Sequence, residues 1–252
     1  MSKLDGKVVF VTGSARRVGR AIALAFADEG ADLVIHHASP SSAEPARTAV
    51  AEAKQRGVDA LITTGDQGDP DHVSRMLMEV RGYYGRIDIL VNSAALFERA
   101  GFLDVDHEAW KRVLDVNLTG PFLLTQGAAR LMIEEGSGGV IINIGDNGGL
   151  NGWVSYPHHS VSKAGLVMLT RIAALALAEH GIRVNCVVPG PVLLPPGSSE
   201  AAEERLASAL PLGRLGSPNN VAQACVFLAQ NDFATGSILR VDGGEGAAGS
   251  GG

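Results

Sequence analysis

The chain has 252 residues, of which 46% are hydrophobic and 19% charged, and its formal net charge is −6. This length and composition suffice for one large core, and the acidic balance gives no electrostatic reason to expect nucleic acid or a membrane surface as a partner. We therefore expect one domain that binds a small molecule.

Short runs rich in Val and Ile recur along the chain, and longer segments with helical spacing of apolar residues separate most of them. This alternation is typical of a parallel sheet covered by helices. We predict an α/β protein with a doubly wound, Rossmann-type, mainly parallel seven-stranded sheet and helices on both faces. Two of the predicted helices are Arg17–Glu29 and Ser162–His180. The predicted strands are Val8–Val11, Leu33–Ile35, Ala60–Thr63, Ile87–Val91, Val140–Ile144, Arg183–Val188 and Ile238–Val241.

The turn after the first predicted strand reads TGSARRVG, from Thr12 to Gly19. Glycines at such a turn let the backbone approach a pyrophosphate, whose charge is met by amides at the helix N-terminus. The pattern also occurs in ordinary strand-to-helix turns, so it needs support from the rest of the chain. It places Arg16 and Arg17 beside the phosphates, although at least one of the two is expected only to cover the helix.

The second predicted strand ends in VIHHASPSS, which contains no Asp or Glu. Rossmann proteins that bind NAD place a carboxylate here for the ribose hydroxyls, and such a carboxylate would repel a 2′-phosphate. His37, Ser39 and Arg16 instead offer hydrogen-bond donors. We therefore predict NADPH as the cofactor, with NAD as the alternative.

Later segments indicate the cellular setting and the mobile parts of the chain. Cys186 and Cys225 lie in apolar runs and are predicted to be buried thiols in a reducing compartment. We see no leader and no stretch near the roughly 20 apolar residues that span a bilayer, so we expect a cytoplasmic protein without a membrane partner. The proline-rich stretch Pro189–Glu200 is the predicted substrate lid, and the Gly-rich tail Glu245–Gly252 is predicted to be flexible.

Six further motifs follow the phosphate turn. They are GDQG at Gly65–Gly68, VNSAA at Val91–Ala95, DVNLTGPF at Asp115–Phe122, HSVSKAG at His159–Gly165, RVNCVVPG at Arg183–Gly190 and TGSILRVDGG at Thr235–Gly244. In this order and at these separations they resemble the signature set of the short-chain dehydrogenases/reductases across residues 5–244. The resemblance implies a single oxidoreductase domain over residues 1–244 and a flexible tail over residues 245–252.

The resemblance also implies which residues hold the cofactor. Asp66 and Gln67 would border the adenine, Asn92 and Ala94 the adenosine ribose and nearby backbone, and Pro189, Gly190 and Val192 the nicotinamide carboxamide. Together with the residues named above, the implied cofactor site comprises Gly13, Arg16, Arg17, Val18, Gly19, His37, Ser39, Asp66, Gln67, Asn92, Ala94, Lys163, Pro189, Gly190 and Val192. No metal ligands are implied.

The implied catalytic group departs from the family pattern. Family members carry Tyr-x-x-x-Lys on one helix, because residues four apart share a helix face and the lysine lowers the pKa of the phenol. Counting back from Lys163 places His159 at the tyrosine position and Asp146 at the position of the family's serine, while Asn117 fills the asparagine position. An imidazole that shares a proton with Asp146 is one candidate for the general acid.

Two of these departures resemble pteridine reductases. Those relatives also lack the middle glycine of the phosphate loop, where this chain has Arg17, and they carry Asp at the position of Asp146. Phe97 matches a residue that stacks on the pterin, but Ala95 and Leu96 replace serines of that site. A pterin is therefore a candidate substrate only.

Two neighbours of His159 need separate interpretations. Tyr156 precedes Pro157, and a residue before proline is pushed out of helical geometry, so we expect Tyr156 at the helix entrance. There it would line the substrate pocket with Phe97 and Asp146. His158 is predicted to be a surface residue.

The sequence favours an NADPH-dependent reductase of a carbonyl or imine-like bond in a small molecule. The alternative is a cofactor-binding member with weak or no turnover, acting as a redox sensor or a structural subunit, because loss of a general acid removes a factor of about 10² to 10⁴ in rate. By resemblance to the family, the chain is expected to form a homotetramer or homodimer.

Overall fold

The computed structural model describes residues 3–194 and 197–248. In these residues seven strands form one sheet, in the order β3-β2-β1-β4-β5-β6-β7, and every neighbouring pair is parallel. The prediction of a doubly wound, seven-stranded sheet is therefore confirmed. The strands are β1 Val8–Val11, β2 Asp32–His37, β3 Ala60–Thr64, β4 Ile89–Asn92, β5 Gly139–Ile144, β6 Ile182–Pro189 and β7 Ile238–Val241.

Ten α-helices are assigned in the described residues. They are α1 Arg17–Asp28, α2 Ala43–Gln55, α3 Pro70–Tyr84, α4 His107–Leu114, α5 Gly120–Glu135, α6 Gly148–Asn151, α7 Pro157–Leu177, α8 Glu200–Ser208, α9 Pro218–Gln230 and α10 Glu245–Ala248. A π-helical segment, Asp115–Thr119, joins α4 to α5, and short 3₁₀ turns occupy Pro40–Ser42 and Ala178–His180.

Two hydrophobic clusters lie on opposite faces of the sheet. One packs Phe26 of α1 and Leu228 of α9 against Val9 and Ile35. The other includes Met76 of α3, Leu124 and Met132 of α5 and Ala173 of α7, together with Phe10. Because both faces are covered, the central strands are buried throughout, which is why their sequences read as continuous apolar runs rather than alternating ones.

The strand order reverses direction between β1 and β4, so the loops that follow these two strands diverge. In open parallel sheets a crevice forms at such a point, outside the carboxyl ends of the strands. The turn after β1 is TGSARRVG and the loop after β4 begins with Ser93 and Ala94. The fold therefore brings the predicted phosphate turn and the VNSAA motif to one place.

Glu245–Ala248 form a short helix, and residues 249–252 lie outside the described residues. The flexibility of the tail stays a prediction. The predicted lid, Pro189–Glu200, contains the end of β6, the start of α8 and connecting turns, and its Pro195 and Pro196 also lie outside the described residues.

One helical run in the described residues, Pro157–His180, is long and apolar enough by composition to cross a membrane, with 24 residues and a mean hydropathy of 1.6. No such segment was expected from the sequence. Core helices of globular proteins have the same composition, and α7 packs through Ala173 and Ala174 into the cluster that includes Val184 of β6. The expected cytoplasmic location stays a prediction.

Candidate active site and cofactor cleft

The phosphate turn is shaped by two glycines. Gly13 has a φ of +66°, a left-handed conformation that favours glycine, and a Cβ there would lie 3.0 Å from the Cα of Ala94. A Cβ on Gly19 would lie 2.4 Å from the carbonyl oxygen of Gly13. The turn therefore packs against both the N-terminus of α1 and the loop after β4, in the arrangement that lets backbone amides approach a pyrophosphate.

His36 holds this turn in place, and the sequence analysis missed it. The backbone N–H of Gly13 donates to Nδ1 of His36 at 2.9 Å, and Nε2 donates to the carbonyl of Gly65 at 2.8 Å. The imidazole is thus neutral with its proton on Nε2, and burial lowers the pKa of His36 to about 4. The sequence feature that could have identified His36 was its position as a polar residue near the carboxyl end of a buried strand.

The two arginines of the turn have different surroundings. Arg16 is exposed, and its guanidinium donates to the carbonyl of Ser41. The hydroxyls of Ser41 and Ser42 lie 2.9 and 3.2 Å from that of Ser39, so a cationic group and three hydroxyls meet beyond the end of β2. Arg17, with a φ of +53°, occupies a left-handed position and points its guanidinium toward the carbonyl of Leu193 at 3.4 Å.

His37 differs from the sequence-based expectation. Its Nδ1 donates to the carbonyl of Ser39 at 3.0 Å, and its Nε2 accepts from the hydroxyl of Thr64 at 3.1 Å. Both ring nitrogens are therefore engaged within the protein, and neither is a free donor for a 2′-phosphate. The donors that remain at this end of the sheet are Arg16 and the serine hydroxyls.

The loops after β3 and β4 place the residues expected around adenosine. Asp66 is exposed and accepts from Gly68 N–H at 2.8 Å. Gln67 is buried and donates to the carbonyls of Ala94 and Val116, which ties this loop to the π-helical segment. Ala94 itself donates to the hydroxyl of Thr12 at 2.9 Å, beside the phosphate turn.

Asn92 makes internal hydrogen bonds, and its expected contact with the ribose stays a prediction. Its side-chain amide donates to Asn143 at 2.8 Å and to Thr125 at 3.3 Å, and it is 2% exposed. Asn143 in turn donates to Thr170. Asn92 thus belongs to a polar network inside the protein that joins β4 and β5 to the helices beneath them.

The remaining predicted cofactor residues lie at the carboxyl edge of the sheet. Val18 and Val192 pack partly buried against the first hydrophobic cluster. Pro189 ends β6, and Gly190 donates to the carbonyl of Val241 at 3.1 Å. A Cβ on Gly190 would lie 2.7 Å from the Cα of Asp242, so the chain passes β7 closely here.

His159 lies in the first turns of α7 and is 2% exposed. Its Nδ1 donates to the carbonyl of Leu96 at 2.9 Å, and its Nε2 contacts Oδ2 of Asp146. The ring packs edge-on against Phe97 at 4.7 Å and parallel to Trp153 at 6.4 Å. Nδ1 also lies 3.3 Å from the side-chain nitrogen of Asn117, whose N–H groups go to the Leu96 carbonyl and the Ser162 hydroxyl. Oxygen acceptors therefore face both ring nitrogens, which fits two N–H donors on the ring.

Asp146 follows β5 and is the more accessible member of this pair, with 18% of its side chain exposed against 2% for His159. Its Oδ1 accepts from Gly149 N–H at 3.0 Å. Burial by itself raises the pKa of Asp146, but the hydrogen bond from His159 and the charge of Lys163 together lower that pKa below its usual value. Asp146 is therefore a carboxylate at neutral pH.

Lys163 and Asn117 complete the group. The ammonium of Lys163 donates to the carbonyl of Ile144 at 2.7 Å, and burial lowers its pKa, partly offset by Asp146. Asn117, in the π-helical segment, accepts from Leu96 N–H at 2.7 Å and donates to the Leu96 carbonyl at 2.9 Å. All four predicted catalytic residues therefore lie together. Asn117 holds the backbone of Leu96, whose carbonyl oxygen accepts from Nδ1 of His159.

An aromatic wall stands beside this group. Phe97 stacks on Tyr156 with ring centroids 4.4 Å apart, and Trp153 lies 6.1 Å from each of them. Tyr156 directly precedes α7, as predicted, and Phe97 is 52% exposed. The sequence analysis did not single out Trp153. His158, predicted at the surface, is instead 1% exposed, because α4 packs over this side of α7.

These residues fit a nicotinamide dinucleotide. The glycine-lined turn leaves the pyrophosphate free access to the α1 amides, and Lys163 has N–H groups beyond the one given to Ile144 with which to bind ribose hydroxyls. No cluster of three or more His, Cys, Asp or Glu side chains suited to a metal occurs among residues 3–194 and 197–248. Cys186 and Cys225 are buried thiols, as predicted.

Comparisons with known proteins agree with this geometry. A family model described as Enoyl-(Acyl carrier protein) reductase matches residues 13–245. The chain is 36% identical over 250 residues to an L-rhamnose 1-dehydrogenase (NAD(P)(+)) of Sphingomonas sp. (strain SKA58), covering 97% of this chain and 98% of that protein. It is 35% identical over 246 residues to a 3-oxoacyl-[acyl-carrier-protein] reductase of Thermotoga maritima, covering 96% and 98%.

Solved structures are similarly close. A short-chain type dehydrogenase/reductase from Mycobacterium marinum superposes with a TM-score of 0.87 at 34% identity, covering 96% of both chains. A blue fluorescent protein from a metagenomic library, in complex with NADPH, superposes with a TM-score of 0.89 at 33% identity, covering 97% of this chain and 99% of that one.

Proposed function

The chain belongs to the short-chain dehydrogenase/reductase family of NAD(P)-dependent oxidoreductases, and from that membership we propose that it uses NADPH to reduce a carbonyl or imine-like bond in a small molecule. The observation that carries the proposal is the convergence of Asn117, Asp146, His159 and Lys163 on one another. The bound cofactor supplies the hydride. The protein's own groups bind the cofactor, orient the substrate and supply the proton.

Each polar group of the site has one task in this proposal. Lys163 binds the nicotinamide ribose and its charge holds Asp146 close to it. Asn117 keeps the Leu96 backbone in place, which in turn orients His159. The Asp146–His159 pair holds the proton that the substrate receives. Tyr156, Phe97 and Trp153 form a wall that excludes water and suits a flat substrate.

The aromatic wall also bears on the substrate class. Ala95 and Leu96 offer no polar side chains to the hydroxyls of a substrate, while Asp146 offers a carboxyl group that can hydrogen-bond to a ring nitrogen. We propose a flat molecule, and a pterin is one candidate. An NADPH-oxidation screen over carbonyls, quinones, cyclic imines and pterins tests this assignment.

The preference for NADPH rests on Arg16 and on the absence of a carboxylate after β2. We expect NADPH to bind more tightly than NADH, because a guanidinium and three serine hydroxyls face the position of the 2′-phosphate. Arg16→Ala should weaken NADPH binding about 10- to 100-fold, the range expected for hydrogen bonds to a charged group, and leave NADH binding nearly unchanged. Fluorescence titration measures both dissociation constants.

Arg17→Ala is the matched control for that experiment. Arg17 lies next to Arg16 but points toward Leu193 rather than toward the serines. Its loss should not discriminate between NADPH and NADH. Equal affinity of the wild type for the two cofactors, or tighter NADH, would contradict the 2′-phosphate assignment.

A second candidate function is a cofactor-binding protein with little or no turnover, acting as a redox sensor or structural subunit. The observation that favours it is the burial of His159, whose two ring nitrogens are both engaged inside the protein. His159→Tyr separates the two functions, because it restores a phenol beside Lys163. A reductase should show activity in the wild type, which the tyrosine variant broadens toward ordinary ketones. A sensor should turn over only as the tyrosine variant.

A further inference from the structure

The Asp146–His159 pair has an unequal exposure that bears on which residue touches the substrate. The His159 ring is enclosed by Phe97, Trp153 and the Leu96 backbone, and its Nε2 ends on Asp146. No ring N–H of His159 is left over for a substrate atom. The Asp146 side chain, in contrast, is 18% exposed.

From this geometry we infer that Asp146 is the catalytic residue that contacts the reacting heteroatom and protonates it, while His159 is a positioning residue that stores the proton and acts only through Asp146. The sequence made His159, sharing a proton with Asp146, one candidate for the general acid. The side chain of His159 is shorter than that of the tyrosine that the family carries at this position. The imidazole therefore contacts the Asp146 carboxylate and does not extend beyond it toward the substrate. This inference rests on the proposed reductase function.

The proton transfer balances in the following way. The Nε2–H bond of His159 breaks as an O–H bond forms on Asp146, and that O–H bond then breaks as the substrate heteroatom gains its proton. A nicotinamide cofactor held by Lys163 and the phosphate turn would supply the hydride that reduces the substrate carbon. His159 ends neutral, with its remaining proton on Nδ1 donated to Leu96, and Asp146 ends as a carboxylate. Solvent returns one proton through the exposed carboxyl group.

The charged and titratable groups around the pair are consistent with this order. Lys163 on α7 and the Gly149 N–H favour the carboxylate form of Asp146, and Cys186 on β6 lies near both Asp146 and Lys163. His158 is the other titratable neighbour of His159. These groups favour the carboxylate form of Asp146, which leaves its Oδ2 as the acceptor that faces Nε2 of His159.

Separate substitutions of Asp146 and His159 distinguish the residue that protonates the substrate from the residue that acts through it. Asp146→Asn should lower kcat with NADPH at least about 100-fold, the loss typical of a missing general acid. His159→Gln should lower kcat less than Asp146→Asn does, with little change in KM, because Asp146 is partly exposed and still receives protons from solvent. His158→Gln, the same change one position earlier on α7, is the control and should keep wild-type turnover. A loss in His159→Gln equal to or larger than that in Asp146→Asn overturns the inference.

A spectroscopic measurement tests the pair without turnover. In the NADP⁺ complex of the full chain labelled with ¹⁵N-histidine, both ring nitrogens of His159 should carry protons at neutral pH. In His159→Gln, the ¹³C signal of the Asp146 carboxyl group should titrate at a higher pH than in the wild type, because a cationic donor is gone. An unprotonated Nε2 in the wild type, or an unchanged Asp146 titration, contradicts the inference. A wild type that fails every substrate while passing these tests contradicts the proposed function instead.

Discussion

His36 and His37 are adjacent, both buried and both hydrogen-bonded through two ring nitrogens, yet their partners give them different roles. His37 bonds within the end of its own strand and to neighbouring Thr64. His36 bonds across elements, from the phosphate turn at Gly13 to Gly65 before the Asp66 loop. A strand turns successive side chains to opposite faces, so neighbouring identical residues meet different surroundings. His36 therefore links the two loops that hold the cofactor.

This role makes a prediction about pH. The pKa of His36 in the folded protein is about 4, below its ordinary value of 6.5, so the unfolded chain binds more protons between these two values. The free energy of unfolding should therefore fall as pH drops from 6.5 to 4, with a contribution from His36 of about 3 kcal/mol. Urea unfolding should be measured at several pH values in this range. The free energy of unfolding should decrease less between pH 6.5 and pH 4 in His36→Gln than in the wild type.

His72 provides the control for the His36 experiment, because it is partly exposed on α3. His72→Gln should show the same change in the free energy of unfolding with pH as the wild type. Protonation of His36 also places an N–H against the N–H of Gly13, so NADPH affinity should weaken over the same pH range in the wild type. An identical pH dependence of stability in wild type and His36→Gln would contradict the assignment.

At the scale of elements, the active site depends on close packing between α6 and α7. A Cβ on Gly149 would lie 2.7 Å from the backbone carbon of Lys163 and 2.8 Å from its Cβ. Gly149 also donates its N–H to Asp146, so α6 connects the carboxylate to the helix that carries His159 and Lys163. A substitution that disturbs the contact between α6 and α7 should therefore lower both the stability of the protein and its turnover.

Gly149→Ala tests this packing. The added methyl group meets backbone, which cannot yield cheaply, so we expect a loss of about 1 to 3 kcal/mol in the free energy of unfolding and reduced turnover. Gly82→Ala, in the last turn of α3 with nothing within 4 Å of the added Cβ, is the control and should stabilise the protein slightly. Chemical denaturation measures both. A Gly149→Ala protein as stable as the wild type would show that α6 adjusts freely.

At the scale of the whole molecule, α5 and α7 expose apolar side chains next to each other. Phe122 and Ile133 on α5 are 44% and 40% exposed, and Ile172 and Leu175 on α7 are 57% and 83% exposed. A groove of about 350 Å³ runs between the two helices. A surface of this kind is uncommon on a monomer, and it favours the homo-oligomer, dimer or tetramer, that we propose.

Light scattering tests this association. The wild type should have a mass two or four times the chain mass of 26.1 kDa at micromolar concentration. Leu175→Lys should shift the mass toward the monomer, because it places a charge in the apolar surface. Met78→Lys, at a 65% exposed position on α3, is the control and should not change the mass. A wild-type mass near that of one chain would rule out a stable oligomer.

The sequence by itself determined the sheet and the phosphate turn, because these features depend on local patterns: runs of β-branched residues and a glycine turn. The group of Asn117, Asp146, His159 and Lys163 was implied by the resemblance of the sequence to the short-chain dehydrogenases/reductases. The bounds of β1 and β7 match the prediction, and α7 begins at Pro157 as the Tyr-Pro pair indicates. Local chemistry is enough where one segment sets its own geometry.

Only the tertiary structure decided which atom of each side chain is free. Asn92 turns into a network with Asn143, His158 is covered where α4 packs on α7, and His36 rather than His37 holds the phosphate turn. The tertiary structure also decided which member of the Asp146–His159 pair is more exposed, since Phe97 and Trp153 from other segments cover the ring of His159. A buried polar group must find a partner, and the packing of separate elements determines which partner is within reach.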